Sequence, residues 1–598
     1  METQSKIMAR GDRDRLSDLP DEILIHILSM LPESDNKLIV RSSVLSKRWR
    51  FLWKAVPISL DFGRFVVKGN RDFVGSVNRE LHYWRSFEKI RTFRVVLYNY
   101  EEMSKVKDVD LWVYFAIKVA NVEDFTLEIE SDSHLYEFPQ FAYKNTSLRN
   151  LVLSGCKLNP SGSVNWTSLV SLSIRNIELT DGVMGKVLSG CPNLECLELS
   201  VPISLNLFVK GNRDFVGSVN RELHYWRSFE KIRKCMIVLY NYVEMSNVKD
   251  VDLWVYFAIK VANVEDFSLE IILQNEYELP QFAYKNTSLR NLVLTRCKLN
   301  PSGSVNWTSL VSLSIRRHRL TEGVVEKVLS GCPNLECLKL VQVWGIHRLE
   351  ISSVKLRKLI IEEYTYGKLE ILAPYIHHLQ ISGSCKGIRL KQKNVASLIT
   401  TDLDYSNFYE NLEEELSCLN EFLHGVAHVE NLELSPWCIE LLSILELKGW
   451  KSPPSSRKFL KLNAALEQLD FPGVCSFLQS SSDLETLVID WDYHDSREIL
   501  SKYTNEDEQR RRFETYNFNS SLLHLKTIKI INFDGPLSGN KSILPYIKYF
   551  LKNATTLEKF VIAAKFKGSD VPQDYVKMAQ EFQSFPRSSA QASVVFSY

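Results

Sequence analysis

Three neighbouring stretches decide the fold of this chain: Ser147-Leu-Arg-Asn-Leu-Val-Leu153, Ser168-Leu-Val-Ser-Leu-Ser-Ile174 and Asn193-Leu-Glu-Cys-Leu-Glu-Leu199. Each has the form Leu-x-x-Leu-x-Leu, with Ile also accepted at the last position, and the copies follow one another at about 21 to 25 residues. The last three apolar positions alternate with polar ones, which predicts a short strand with one buried face.

This pattern and spacing are typical of leucine-rich repeats. Less regular units continue towards the C-terminus, separated by helical or irregular stretches such as residues 180–188. One unit cannot bury its apolar face alone, so neighbouring units must stack into a curved α/β solenoid. The later units lie at Leu356–Ile361, Leu369 with Leu379–Ile381, Val429–Leu434, Leu484–Ile489, Leu525–Ile530 and Leu557–Ile562.

A much longer repeat covers the first half of the chain. Val67–Arg91 recurs letter for letter as Val209–Arg233, and Cys156–Arg175 recurs as Cys297–Arg316. Structural constraint alone preserves core positions, yet here the surface positions match as well. A recent tandem duplication of about 140 residues explains this, and so does an error in the gene sequence. In either case we expect no new chemistry from the second copy.

Composition excludes several classes of protein. The 73 Lys and Arg residues balance 72 Asp and Glu residues, so we expect neither a nucleic-acid partner nor a membrane surface. No segment approaches the roughly 20 apolar residues of a membrane span, and the N-terminal stretch lacks the apolar core of a secretory signal. We therefore expect a cytoplasmic or nuclear protein whose 11 cysteines stay reduced.

Residues 14–54 differ in pattern from the repeats. Asp18 and Pro20 suit a helix start, and Pro32 a helix end. After Pro32 we expect two more short helices, the last with Leu45, Trp49, Leu52 and Trp53 along one stripe. Five apolar residues share one face of the first helix: Ile23, Leu24, Ile27, Leu28 and Leu31. Physics alone leaves two roles open, a module that docks on a partner and a helical cap on the solenoid.

A resemblance favours docking. The string that begins Leu16-Ser-Asp-Leu-Pro-Asp-Glu-Ile-Leu24, followed by Val44-Leu-Ser-Lys-Arg-Trp-Arg50, resembles a plant F-box. The resemblance implies that the module binds a small Skp-type adaptor and, through it, a cullin-based ubiquitin ligase. Leu38–Ser42 departs from the usual Ala-Val-Arg-Thr, but it stays apolar, so we expect adaptor binding to survive. The contact positions that carry over are Leu19, Pro20, Ile23, Leu24, Ile27, Leu28, Val44, Leu45 and Trp49.

The C-terminal part resembles the FBD domain, which often closes plant F-box/leucine-rich-repeat proteins. The resemblance covers about residues 515–590 and departs from the family pattern at Asn540-Lys541-Ser542. It is carried by Leu522–Ile528, Phe533–Gly535, Tyr549–Ala554 and Leu557–Ile562.

The predicted fold is thus α/β: a three-helix F-box, then a leucine-rich-repeat solenoid, then an FBD region. The predicted segments are a flexible tail (1–13), the F-box (14–54), two copies of the duplicated repeat block (55–200 and 201–340), irregular leucine-rich repeats (341–514) and the FBD region (515–590).

A search for catalytic constellations finds none of the usual motifs, so we predict no enzyme, no cofactor and no metal site. Cys191 and Cys196 are closely spaced, but no further ligands follow at zinc spacing, and we expect Cys196 at a buried strand position. The acid and histidine cluster Asp490–Asp495 follows a predicted strand and is interpreted as a solvated loop. Glu506–Arg512 is interpreted as an exposed helix.

The predicted function is substrate recognition for an SCF-type (Skp–cullin–F-box) ubiquitin ligase, with the solenoid and FBD region holding an unknown protein substrate. Two alternatives stay open. The same scaffold could be a receptor for a hormone-like small molecule, or the duplication could have left a non-functional family member.

Overall fold

Short parallel strands, one to each repeat, form the framework of the molecule. The tail predicted over residues 1–13, Asp18, Leu31 and Pro32 lie outside the described residues, as does most of the repeated segment Val209–Arg233. A computed structural model describes residues 19–30, 36–63, 73–85, 90–97, 106–130, 136–175, 178–179, 183–201, 232–240, 248–272, 277–364, 367–383, 387–404, 412–491, 499–515, 522–533, 543–565 and 573–597.

The chain divides into two compact units, residues 1–276 and 277–598. Unit 1 opens with three short helices that precede the first strand. Its helices are Asp21–Ser29 (α1), Asn36–Arg41 (α2), Trp49–Leu52 (α3), Phe73–Trp84 (α4), Val106–Tyr114 (α5), Val183–Ser189 (α6) and Val248–Tyr256 (α7), with single 3₁₀ turns at Ser42–Val44, Trp53–Ala55 and Gln140–Lys144.

Eight strands of unit 1 pair in parallel in chain order. Three flanking strands, Tyr136–Glu137, Cys156–Leu158 and Glu178–Leu179, form a second small sheet. The main strands are Ile58–Asp61 (β1), Ile90–Leu97 (β2), Asp124–Ile129 (β3), Asn150–Ser154 (β4), Ser171–Arg175 (β5), Cys196–Val201 (β6), Lys234–Tyr240 (β7) and Asp266–Ile272 (β8).

The pairing register explains why the repeat pattern buries one face. Phe93, Phe125, Leu151, Leu172 and Leu197 occupy one continuous row across five strands, and each is almost fully buried. Since side chains alternate between the two faces of a strand, the residues between these rows form the open face. The stack of apolar rows therefore supplies the core that no single repeat could form.

Unit 2 continues the same design with twelve parallel strands in chain order. They are Asn291–Thr295 (β9), Ser312–Arg316 (β10), Cys337–Val341 (β11), Lys358–Glu362 (β12), His378–Ser382 (β13), Thr400–Asp404 (β14), Asn431–Leu434 (β15), Phe459–Asn463 (β16), Thr486–Asp490 (β17), Thr527–Phe533 (β18), Lys559–Ala564 (β19) and Ser593–Ser597 (β20).

The return segments of unit 2 change in kind along the chain. Early repeats return through very short strands, Tyr277–Glu278, Cys297–Lys298, Arg348–Glu350, Leu369–Leu372 and Ile388–Leu390, and through 3₁₀ turns at Gln281–Lys285 and Gln392–Val395. The helices of this unit are Glu322–Ser330 (α8), Leu412–Gly425 (α9), Pro436–Leu447 (α10), Phe471–Gln479 (α11), Glu506–Thr515 (α12), Ile543–Asn553 (α13) and Gln573–Ser584 (α14), with 3₁₀ turns at Gln468–Asp470 and Leu500–Lys502.

Every later unit predicted from the leucine pattern contains a strand, and the helix predicted between residues 180 and 188 is present as α6. The leucine pattern missed strands β1, β2, β3, β7, β8, β14, β16 and β20, because they lack the Leu-x-x-Leu lead of the regular units. Four tryptophans are buried in the core: Trp112, Trp166, Trp254 and Trp307.

Among the described helices, none combines the length and the apolar character needed to cross a lipid bilayer.

Candidate docking surfaces

The N-terminal module has a small core of its own. One side of α1 packs against α3, and Arg48 joins their ends by donating to the Asp21 carboxylate at 2.7 Å and to the Leu19 carbonyl at 2.6 Å. These contacts fix the angle between the first helix and the segment that follows the second. Six buried side chains form this core: Leu24, Leu28, Ile39, Trp49, Leu52 and Val56.

The outer surface of the same module is unusually apolar. Val44 is 84 % exposed, Leu45 62 % and Ile23 45 %. Ile23 and Met30 lie seven residues apart and thus share one side of the first helix with the half-buried Ile27 between them. An exposed apolar surface on so small a module marks an interaction site.

The nine predicted contact residues fall into two groups. Leu24, Leu28 and Trp49 lie in the core, where they position the module from inside. A contact between these three and a partner stays a prediction. The other six reach the surface wholly or in part: Leu19, Pro20, Ile23, Ile27, Val44 and Leu45.

A second candidate surface is the open face of the sheet in unit 2, which carries paired charges on adjacent strands. Lys461 Nζ lies 2.8 Å from Glu433 and 3.7 Å from Asp490. On the two preceding strands, His378 Nε2 of β13 lies 3.3 Å from Asp402 of β14. These side chains are largely shielded, and the Lys461 ammonium lies between two carboxylates, so the face presents charged groups that could select a protein partner.

The sequence did not single out this charged face. The signal was present, however, because Asp402, Glu433 and Lys461 occupy the same polar position of three successive strands. Aligning the repeats by strand register would have placed them side by side. Met30 was also missed, although its helical spacing from Ile23 places both residues on the same side of the first helix.

Two expectations about single residues need correction. Cys196 lies half-buried on the open face of β6, because the alternation sends Leu197 and Leu199 inward. Asp490 is not solvated: it is 7 % exposed and accepts a hydrogen bond from Asn532 at 2.8 Å. Residues 492–498, which include the rest of the predicted acid and histidine cluster, lie outside the described residues.

The charged segment Glu506–Arg512 is helical, as predicted. Cys191 is buried at the end of α6, where its thiol contacts the Val187 carbonyl, and burial raises its pKa to about 12. Its neighbourhood holds no cationic group that would favour a thiolate, so Cys191 is a packing residue. Within the described parts of the chain, no group of three or more His, Cys, Asp and Glu side chains is arranged to hold a metal ion.

Comparison with known families agrees with this architecture. The F-box domain family matches residues 16–60, and the family described as "At1g61320/AtMIF1, LRR domain" matches residues 85–206 and 227–587.

The chain belongs to the F-box/leucine-rich-repeat protein family.

Relatives of this F-box/leucine-rich-repeat protein occur in Arabidopsis thaliana. It is 38 % identical to F-box/LRR-repeat protein 25 over 33 % of this chain and 72 % of that protein. F-box/LRR-repeat protein At3g03360 is 30 % identical over 58 % of this chain and 72 % of its own length. F-box/LRR-repeat protein At5g02910 is 33 % identical over 57 % of this chain and 72 % of its own length.

A solved structure, described as a novel circular LRR protein, covers 85 % of the F-box/leucine-rich-repeat chain with a TM-score of 0.32 and 10 % identity. The fold assignment rests on the strands and the family matches above. It is α/β, with an N-terminal three-helix F-box followed by a leucine-rich-repeat solenoid. This fold is an interaction scaffold, and F-box domains in general bind Skp1-type adaptors.

Proposed function

We propose that this F-box/leucine-rich-repeat protein is a substrate-recognition adaptor of an SCF-type ubiquitin ligase. Its F-box would bind a Skp-type adaptor and, through it, a cullin, while the solenoid and the FBD region at 515–590 would hold a protein substrate. We propose the same segment boundaries as above and a cytoplasmic or nuclear location. The chain itself would form no bonds, because its contribution is to raise the effective concentration of substrate near the ligase.

The observation that carries the proposal is the exposed apolar surface of the F-box. Val44 ends the 3₁₀ turn and Leu45 follows it, and most of the surface of both side chains is exposed. Burial of apolar surface is the main driving force of protein association and contributes about 25 cal/mol per Å² buried. An exposed apolar surface of this kind therefore stabilises a complex. The internal core is satisfied without these residues, which leaves docking as their physical role.

A second element of support is the charged open face in unit 2. Glu433, Lys461 and Asp490 form one connected group whose geometry is already fixed before a partner arrives. Groups fixed in this way lose little entropy on binding and reject partners of the wrong charge. This face is therefore our proposed location for part of the substrate contact.

The test is binding of a purified Skp-type adaptor to the full-length chain, measured by calorimetry. The double variant Val44→Arg, Leu45→Arg places two charges on the proposed contact and leaves the core untouched. We expect at least a hundredfold loss of affinity, since central interface residues each contribute about 2 kcal/mol or more.

The matched control is Leu111→Arg, because Leu111 is 61 % exposed, like Leu45, but lies on helix α5. It should bind the adaptor as the wild type does. Leu24→Ala serves a different purpose: it opens a cavity in the F-box core, costs about 2–5 kcal/mol and reports what unfolding of the module does to binding. Unchanged affinity of the double variant would show that the adaptor does not use this surface.

The alternative function, a small-molecule receptor, is favoured by one observation. Unit 2 contains a cleft of about 900 Å³ on the flank of its sheet, lined by polar and charged side chains. Ligand sites of 300 to 1,000 Å³ are typical for small molecules. What this cleft can bind does not depend on the ligase role.

A further inference from the structure

The cleft lies where the repeats of unit 2 change length. The strands that start at Cys337, Lys358, His378 and Thr400 follow one another after 21, 20 and 22 residues, whereas the next starts 31 residues later, at Asn431. A repeat of about 20 residues has no room for a helix and returns through a short strand. The longer repeat adds helix α9, so a step forms between a thin and a thick part of the solenoid.

The backbone at the step is closely packed. Gly425, near the end of α9, lies so close to the flanking strand Ile388–Leu390 that an added Cβ would sit 2.7 Å from the Leu390 carbonyl oxygen. The C-terminal turns of α9 thus form one wall of the cleft. The flanking strands Leu369–Leu372 and Ile388–Leu390 form the other, with Glu370 and Arg389 paired in register.

Two carboxylates line the cleft, and each is already neutralised. Glu421 lies 2.6 Å from Arg389 Nε, and Glu370 lies 3.2 Å from Lys391 Nζ. The hydrogen bond and charge of Lys391, with a smaller contribution from Arg348, hold the pKa of Glu370 below its usual value. Neither acid is therefore left to repel an anion as an isolated charge.

Three polar side chains remain, and they come from three separate segments. Lys368 forms no ion pair with any carboxylate of the described residues. His347 precedes the first flanking strand, and no hydrogen bond from its ring is found among the described residues. His424, on α9, donates from Nδ1 to the Asn420 carbonyl at 2.8 Å, so the Nε2 of that tautomer is an acceptor.

We propose that this cleft is a binding site for a phosphate-bearing ligand. A phosphate monoester that keeps one proton offers acceptor oxygens and one hydroxyl donor. These match the Lys368 ammonium, a ring N–H of His347 and the Nε2 acceptor of His424, which line the same cleft. Lys391 and Arg389 add positive potential at the rim while they hold the two acids. The cleft is much larger than one phosphate group, so the remainder of the ligand lies against Gln392, Asn420 and the Leu390 side chain.

The ligand could be a free phosphorylated small molecule or a phosphorylated side chain of a bound protein. Both present the same group to Lys368, His347 and His424. Glucose 6-phosphate represents the first source, and a tripeptide with a central phosphoserine represents the second. Inorganic phosphate measures the contribution of the group itself.

The experiment titrates the full-length chain with each probe at constant ionic strength and follows binding by calorimetry, with chloride as the reference anion. We expect saturable binding of inorganic phosphate and tighter binding of one of the two larger probes. Lys368→Gln should weaken phosphate binding about tenfold, which corresponds to about 1.4 kcal/mol. The double variant His347→Gln, His424→Gln should weaken it by a similar factor.

The matched control is Lys393→Gln, an equally exposed lysine close in sequence that does not line the cleft. It should bind every probe as the wild type does. Circular dichroism of each variant checks that these exposed substitutions leave the fold intact. The proposal fails if the wild type shows no saturable phosphate binding, or if Lys368→Gln and Lys393→Gln bind equally well.

Discussion

Where both copies of the duplicated block are described, their aromatic packing is the same, although one copy lies in unit 1 and the other reaches into unit 2. Trp166 stacks on Tyr143 with ring centroids 5.7 Å apart and planes at 24°, and Trp307 stacks on Tyr284 at 5.6 Å and 23°. Both indole nitrogens donate to a backbone carbonyl, at 2.9 and 2.8 Å. The residues of the block therefore determine this packing in both copies, whichever segment precedes the block.

One position breaks this equivalence. Gly155 of the first copy corresponds to Arg296 of the second, and both have a left-handed backbone, with φ of 68° and 55°. A Cβ on Gly155 would sit 1.8 Å from the Ile129 carbonyl oxygen, a position no real atom can occupy. The second copy accommodates a full side chain at the same turn. The backbone of the adjacent strand β3, which belongs to the same block, limits what this position tolerates in the first copy.

The largest effect is expected when the two buried tryptophans are replaced one at a time. Trp166→Ala and Trp307→Ala each remove a fully buried side chain and its hydrogen bond, so each should cost about 3–5 kcal/mol of local stability. Hydrogen exchange measured by mass spectrometry reports each loss, provided that the peptides include Gly155 or Arg296, which distinguish the copies. Equal losses would also argue against a decayed second copy, whereas a much smaller loss at Trp307 would support decay.

The next test exchanges the residues at the divergent turn. Gly155→Arg should destabilise the first copy by at least about 2 kcal/mol, because it adds left-handed strain to a clash with the backbone of β3. Arg296→Gly should change the second copy by no more than about 1 kcal/mol, since it relieves that strain and adds no clash. Urea denaturation of the two variants checks the asymmetry. Equal effects would mean that the adjacent strand is not what separates the copies.

A smaller effect is expected at a turn that both copies share. The side-chain oxygen of Asn145 accepts backbone hydrogen bonds from Ser147 and Leu148, both at 2.8 Å. Asn286 makes the same two contacts in the second copy. Replacement by Ala leaves these donors without their acceptor and should cost about 1–2 kcal/mol in each copy, measured by thermal unfolding. Asn150→Ala is the control: this exposed residue donates only to the Asp124 carboxylate, so its loss should be within about 0.5 kcal/mol.

The smallest effect appears only at alkaline pH. Burial raises the pKa of Tyr284 to about 12 and raises the pKa of Tyr143 as well. The tyrosines of the unfolded chain lose their protons near pH 10, before those of the folded chain do. The contribution of these shifts to the free energy of unfolding is therefore complete below pH 10 and falls as the pH rises towards 12. Replacing both residues by Phe should flatten this fall in a series of unfolding curves from pH 9 to 11. An unchanged slope would show that other groups control alkaline unfolding.

Much of the architecture could be predicted because the leucine pattern records one buried face per repeat. The strands at Leu359, Leu487 and Phe560 appear where that pattern placed them. Strands such as Ile58–Asp61 and Thr400–Asp404 could not be found in this way. Their own sequence lacks the leucine pattern, and neighbouring strands bury them. The same limit applied to the F-box, where the sequence grouped Ile23 with Leu24 but could not tell which of them faces out.

The sequence by itself determined that repeats stack, that the two copies pack alike and that an F-box precedes them, because each of these depends on residues close together along the chain. Only the tertiary structure decided which apolar residues remain exposed, which charges meet on the open face and where the cleft opens beside α9. Those features join side chains far apart in sequence, such as Lys368 and His424, and their proximity depends on strand register and on a change in repeat length. Strand register is set by how rows of apolar side chains pack across neighbouring strands, so it becomes visible only in the tertiary structure.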